Sequence, residues 1–304
     1  MASTRLIVSG PNFALPPYNL ASVVDWRDGD GHWRAGVEWE TVCGDADSTY
    51  DECVIIGATS GAVTGVPVPF PEPGPKAATA TRENFGATPF TVYAEVDCSA
   101  VGFYDDSTAW ARDRLERTEF KELEKIFFSG TVAGVVDAQF PHLAASAEVT
   151  DVEANGNSVT LQQAATIVTG SAVCVEVALG LLESAFADCY SGAGIVHVPN
   201  ELIPIMDQAY LLERDDDRLI TGNGNVVVAG TGYAGSSPAG VVDPAVRWIY
   251  MTPQIFGYRS EIRTFAPETT LDRSVNTVKA IAERTYLLGY DCCLVAVPVS
   301  LTCG

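Results

Sequence analysis

Apolar positions recur at helical spacing over one long stretch, residues 105–130, DDSTAWARDRLERTEFKELEKIFFSG. Leu115, Phe120, Leu123, Ile126 and Phe127 share one broad sector, and no Gly or Pro interrupts the run before Gly130. Asp105, Asp106, Ser107 and Thr108 offer acceptors to the first free N–H groups, and Gly130 suits a left-handed C-cap. Arg112 with Glu116 and Asp113 with Arg117 form i,i+4 pairs. Each exposed pair adds only about 0.3–0.5 kcal/mol, so the pairs support a helix without explaining it. Arg112, Glu116 and Glu119 intrude on the apolar sector, while Trp110 and Phe128 point nearly the opposite way. A helix with charges all round and aromatics on two sides touches more than one neighbour.

Two-residue alternation prevails elsewhere. VVDW, WRAGVEWETVC and ECVII, within 23–56, read as strands around a polar tip, with Asp28-Gly29-Asp30-Gly31 as hairpin-turn chemistry. Residues 1–21 carry Gly10-Pro11 and Pro16-Pro17 among isolated apolar residues, which predicts an extended arm. A Gly/Pro-rich connector follows at 57–75, and FTVYAEV from Phe90 is a strand leading into the long helix. Beyond that helix, 149–159 reads as strands turning at Asn155-Gly156. Residues 160–190 read as a helix interrupted near Gly170, with Val173, Val177, Leu181 and Ala185 on one face. A strand at 195–198, a short helix from Pro199-Asn200 to about Leu211, and a strand–turn–strand unit RLITGNGNVVVAG come next. Asp215-Asp216-Asp217 reads as a solvated turn. Further strands are expected near 247–251 and 260–265. The closing stretch VNTVKAIAERTYLLGYDCCLVAVPVSL predicts that 90–101 and 275–299 share one sheet, which makes the domains discontinuous.

Hydrophobic content of 47% over 304 residues with mean hydropathy +0.14 describes a globular chain with a substantial core. No apolar run approaches the ~20 residues that span a bilayer, and MASTRLIVSGPNF has no signal-peptide core. The expectation is folding in a cytosol with no membrane partner. A formal charge of −21 repels phosphate backbones, which argues against tight nucleic-acid binding but not against enclosing nucleic acid. The 8 cysteines include no CxxC pair, and adjacent Cys292-Cys293 is poor metal-ligand spacing. They read as buried free thiols, with Cys43 and Cys53 the best-placed pair for late oxidation.

Nothing in the chain assembles a catalytic constellation. His32, His142 and His197 lie in unrelated contexts, and His197 inside an apolar strand reads as a core residue. GxSxG, Walker and HExxH patterns do not occur. Asp28 opens a sequence resembling a calcium loop, but its twelfth position is Trp39 instead of Glu. Gly230, Gly232 and Gly235 match GxGxxG, yet Ser236-Ser237-Pro238-Ala239-Gly240 opens no helix to meet a pyrophosphate. A nucleotide-binding oxidoreductase therefore remains only an alternative of another class. No catalytic, cofactor or metal residue is expected.

Three stretches in order carry a resemblance: AWARDRLERTEFKELEKIFFSG, GIVHVPNELIPIMDQAYLLERDDDRLITGNGNVVVAGTGYAG and DRSVNTVKAIAERTYLLGYDCCLVAVPVSL. Their order resembles major capsid proteins of tailed bacteriophages with the Hong Kong 97-type fold, especially those infecting actinobacteria. The resemblance covers most of the chain beyond residue 90 and implies an α+β fold. Its parts would be an N-terminal arm at 1–22, an E-loop hairpin at 23–60, and a connector and P-domain at 61–150 with the spine helix at 107–128. An A-domain at 151–245 and an A-domain return with closing P-domain strands at 246–304 complete it. The family implies a virion shell of hexamers and pentamers, assembled in the host cytoplasm, that encloses double-stranded DNA without sequence-specific binding. Implied partners are further copies of the chain, a separate scaffolding protein because Met1 directly precedes the arm, a portal, and in some relatives a cement protein. An encapsulin-like cellular compartment is the alternative with the same fold. Interlocking arms and loops, with spine helices in neighbouring contact, make Phe13, Trp26, Trp33, Trp39, Trp110 and Phe128 the inter-subunit contact candidates, and the first four are expected to be more exposed within one chain than their type suggests. Some relatives weld subunits through an E-loop lysine. This chain has lysine only at Lys76, Lys121, Lys125 and Lys279, none of them in the hairpin, so non-covalent locking is expected.

Overall fold

The long helix runs from Ser107 to Ser129 (α1) and is the support on which two sheets meet. The computed structural model describes residues 13–14, 16–42, 82–99, 107–137, 139–152, 158–265 and 277–302. Asp105 and Asp106, the connector 57–75, the Asn155-Gly156 turn, Cys43, Cys53 and Lys76 lie outside them. Gly130 closes α1 as expected, at φ 66° with its N–H donating to the Ile126 carbonyl (2.8 Å). A Cβ there would also strike the His142 ring, so both conformation and space demand glycine. The pairs Arg112–Glu116 (2.9 Å) and Asp113–Arg117 (2.8 Å) form on the outer surface. Ala111, Leu115, Leu123, Phe127 and Phe128 are buried.

One sheet lies against the length of α1. Strand Phe90–Ser99 pairs antiparallel with Thr277–Gly289 in continuous register from Tyr286 opposite Phe90 to Thr277 opposite Ser99. On its other edge Thr277–Gly289 pairs with Phe256–Arg259 and Arg263–Phe265, and Asp25–Trp26 adds in parallel to Phe256–Arg259. The first and last thirds of the chain thus build one sheet, which makes this unit discontinuous.

The second sheet has seven strands, in the order Leu212–Asp215, Arg218–Thr221, Val226–Gly230, Ile195–Pro199, Val246–Thr252, Val295–Ser300, Thr166–Ile167. Ile195–Pro199 is buried on both faces. Val196 and Val198 pack with the helix side, while Ile195 joins the core under α1 and His197 meets Phe127. Helices Val175–Ala187 (α2) and Ile203–Gln208 (α3) contribute Ala178, Leu182 and Met206 to the first of these layers. A smaller sheet pairs Val37–Val42 with Arg82–Ala87, and joins the latter to Ser158–Gln162 and Val149–Val152. Among the described residues no helix is long and apolar enough to cross a membrane.

Several expectations change. The 23–56 segment is not a hairpin turning at Asp28–Gly31, because Asp25–Trp26 pairs with Phe256–Arg259 and a 3-10 turn His32–Ala35 follows. The strand Val37–Val42 finds its partner at Arg82–Ala87 and not within 23–56. The helix expected over 160–190 begins only at Val175, since Thr166–Ile167 and Val173 pair with the strand Val295–Ser300. That helix buries Val175, Ala178, Leu179, Leu182 and Phe186, and exposes Val177 and Leu181, the opposite face to the one expected. The last strand, Val295–Ser300, belongs to the seven-stranded sheet and not to the one shared by Phe90–Ser99. Cys189 and Cys293 stand together instead of as separate buried thiols: their Cα atoms lie 6.0 Å apart, a spacing that suits a disulfide between the end of α2 and the turn before the last strand. Cys174 and Cys292 are disulfide-bonded.

Candidate assembly surfaces and the buried carboxylates behind them

Two glutamates of α1 enter the core, and each joins the helix to one of the sheets. Glu119 is 2% exposed. Its Oε1 accepts from Arg284 Nη1 (2.9 Å) and its Oε2 from Tyr286 Oη (2.9 Å), both on the strand Thr277–Gly289. Glu124 is 1% exposed. Its Oε1 accepts the Leu20 N–H (3.2 Å), while Oε2 accepts Thr231 Oγ1 (3.0 Å) and the Gly232 N–H (2.8 Å). One carboxylate thus ties the backbone at Leu20, the long helix and the loop leaving the seven-stranded sheet. Tyr18 reinforces that tie by accepting the Ala229 N–H (2.8 Å) on its carbonyl.

Burial pushes both carboxyl pKa values up. The Arg284 guanidinium and the Tyr286 hydroxyl oppose this at Glu119, as do the Gly232 and Leu20 N–H groups at Glu124. A carboxyl whose folded pKa exceeds its unfolded value binds protons more readily in the native chain. Its contribution to stability therefore falls as pH rises through that window, then levels. Relative to a Glu119→Gln plus Glu124→Gln variant, the wild type is expected to lose melting midpoint as pH rises above the ordinary carboxylate range; the difference between the two is the readout, because the buried neutral His142 and His197 titrate with the opposite sign. A difference that moves in the wild type's favour as pH rises would contradict reluctant ionisation of these groups.

The glycines of the GxGxxG match have a packing role instead. No helix follows Gly235. A Cβ on Gly232 would meet the Lys121 carbonyl oxygen, the Glu124 Cβ at 2.7 Å and the Lys125 nitrogen at 2.9 Å, so this loop presses directly on α1. His197 is enclosed between Tyr233 Oη and Thr252 Oγ1, each at 2.9 Å, and burial pushes its pKa down to about 3. It is a neutral core residue, as expected. Among the described residues no group of three or more His, Cys, Asp and Glu side chains is placed to hold a metal ion.

The six contact candidates separate into three kinds. Phe13 (47%) and Trp110 (50%) are exposed, and the Arg117 guanidinium lies over the Phe13 ring at 5.4 Å. Trp26 and Trp39 are half-buried. Trp26 donates to the Ala21 carbonyl (3.0 Å), and Trp39 meets Phe256 edge-on at 4.9 Å and donates to Asp291 (3.2 Å). Trp33 corrects the expectation of exposure, and the contact candidate Phe128 is likewise buried within its own chain. Trp33 stacks on Tyr258, and Phe128 fits against Tyr233 and Tyr250. Aromatics on two sides of α1 reflect, at Phe128, a helix held between two layers of its own chain. Neither buried carboxylate was identified from sequence as an anchor. Glu119 read only as a charge intruding on the apolar sector, and the partners of both are remote in sequence.

No family model matches the chain, and no characterised protein matches it by sequence. Solved structures do match. The capsid of an empty GTA particle aligns with TM-score 0.56 at 11% identity, covering 98% of this chain and 95% of that one. An encapsulin of Synechococcus elongatus aligns with TM-score 0.51 at 8% identity over 99% of this chain and 94% of its own. The capsid of Ralstonia phage GP4 gives 0.51 at 9% identity, over 98% and 95%. These likenesses show the fold: the chain has the α+β Hong Kong 97-type capsid architecture, with α1 as its spine helix.

Proposed function

We propose that this chain is the major capsid protein of a tailed bacteriophage, a structural subunit that self-assembles into the hexamers and pentamers of an icosahedral head around double-stranded DNA. The observation that carries the reading is the whole-chain likeness to shell subunits, which extends over 98% of the sequence for the phage and GTA capsids. The charge of −21 fits a wall that encloses DNA without gripping it. Exposed Phe13 and Trp110 are the surfaces we assign to neighbouring copies, with half-buried Trp26 and Trp39 completed by them. A separate scaffolding protein, a portal and a cement protein are the partners that such a head would use, and the virion is its location. The likeness to an encapsulin supports a second reading, a cellular compartment shell.

Electron microscopy of the purified product tests both readings: closed shells are expected, and a product that stays monomeric at high concentration would overturn them. Shells carrying nuclease-protected DNA favour the phage head, and shells carrying a co-purifying enzyme favour the compartment. The root of the arm belongs to the core, since Leu20 is fully buried, so the informative truncation removes residues 1–12 only. That truncation should leave the circular dichroism spectrum unchanged and cut shell yield. Normal shells from the truncated chain would remove the arm from the interlock. Particles boiled in detergent with reductant should run as one band near 32.3 kDa. A reductant-resistant ladder would instead show covalent locking and point to Lys76.

A further inference from the structure

A pocket of about 480 Å³ opens beside the strands Asp25–Trp26, Phe256–Arg259 and Thr277–Gly289. Arg27, Arg259 and Arg284 line it together with Trp26. The three guanidinium groups are engaged to different degrees. Arg27 donates to Asp25 (3.2 Å) and lies 4.2 Å over the Phe256 ring. Arg284 gives Nη1 to Glu119 (2.9 Å), while its Nε is buried without an acceptor. Arg259 lies 4.9 Å over the Trp26 ring and, among the described residues, has no ion pair or side-chain hydrogen bond. Exposed Asp28 and Glu261 also line the pocket.

A buried guanidinium N–H is seldom left without an acceptor, and planar guanidinium edges with unused donors match a planar oxyanion. We propose that this pocket is a carboxylate-binding site, with the ligand held by Arg259 and Arg284 against the Trp26 ring. Asp28 and Glu261 oppose a second negative charge, which selects a monoanionic carboxylate over a phosphate dianion. Two sources share this chemistry: a free small carboxylate, or an Asp or Glu side chain of a second copy. The second source rests on the shell reading above. It accords with a chain that carries 39 acidic residues against 18 basic ones and displays Arg259 at its surface.

The test titrates sodium acetate against sodium chloride at constant ionic strength into unassembled full-length subunits, reading tryptophan fluorescence, with Trp26→Phe identifying the reporting ring. Arg259→Gln should weaken acetate binding by about tenfold or more, since hydrogen bonds to charged groups are the strong ones. Arg27→Gln, which removes a group already paired, should change it by about twofold at most. Arg259→Lys keeps the charge and the stem over Trp26, and should bind acetate with intermediate affinity, so the proposal stays testable if the glutamine variant fails to fold. Absence of a saturable acetate response in the wild type, or a response that both Arg259 variants retain in full, overturns the site. Shell yield then separates the sources. A folded Arg259→Gln chain that assembles poorly assigns the carboxylate to a second copy, and normal assembly assigns it to a free ligand. Failure of the wild type to form shells would count against the capsid reading alone, because the acetate arm does not depend on it.

Discussion

Replacing Arg284 by methionine is expected to destabilise the fold by about 3–5 kcal/mol, because it strands the Glu119 carboxylate in the interior without its hydrogen-bonded counter-charge. The side chains of Glu119 and Arg284 are 3% and 16% exposed, so solvent cannot take over the role of the lost partner. The attraction within the pair is not the point. Desolvation largely offsets it, and the asymmetry lies in removing one member only. Glu119→Gln added to Arg284→Met should therefore recover most of the loss. The amide carries no charge and still offers an oxygen to Tyr286 Oη, which bonds Glu119 Oε2 at 2.9 Å. In urea the single variant's midpoint should fall by about 1–2 M, with the double variant returning most of the way. Equal losses in the two would transfer the effect from charge to packing along the Arg284 stem.

How much of this was legible in the sequence differs by element. The spine helix was clear because its signals are local: an uninterrupted run, i,i+4 pairs and a glycine stop. All three stand in the structure at Ser107–Ser129 and Gly130. The long pairing of Phe90–Ser99 with Thr277–Gly289 was also anticipated, from two apolar strands at opposite ends of the chain. The start of α2 was misread because 160–174 is rich in Ala and Gln, and its strand pairing depends on Val295–Ser300 more than a hundred residues away. Its face was misread because VEVALGLLESAFA is apolar on nearly every side, so periodicity could not choose between Val177 and Leu181 on one hand and Leu179 and Leu182 on the other. The Asp28–Gly31 segment had hairpin chemistry, but the strand before it pairs with Phe256–Arg259, which no local pattern encodes. The contact candidates followed the same divide. Aromatic character was visible at Trp33 and Phe128, but Tyr258, Tyr233 and Tyr250, which cover them, are distant in sequence.

Gly232→Ala is expected to loosen the junction between the spine helix and the seven-stranded sheet, at a cost of about 3 kcal/mol or more. The added Cβ meets the Lys121 carbonyl oxygen, the Glu124 Cβ and the Lys125 nitrogen. Two of these are helix backbone atoms held by their own hydrogen bonds, so the helix cannot yield and the loop must retreat. Retreat also lengthens the 2.8 Å bond from the Gly232 N–H to Glu124 Oε2, and a hydrogen bond to a buried charge contributes about 1.5–3 kcal/mol. Gly222 supplies the control, because a Cβ there meets nothing within 4 Å and Gly222→Ala should be close to neutral. Glu124→Ala attacks the same junction from the other side, leaving the Leu20 N–H, Thr231 Oγ1 and the Gly232 N–H without their acceptor. Both variants break the same bond, so together they should cost less than the sum of their separate effects, by at least about 0.5–1 kcal/mol in a double-mutant cycle. Strict additivity would mean that the loop and the carboxylate act independently. The junction would then rest on ring packing, Phe127 against His197 and Phe128 against Tyr233 and Tyr250.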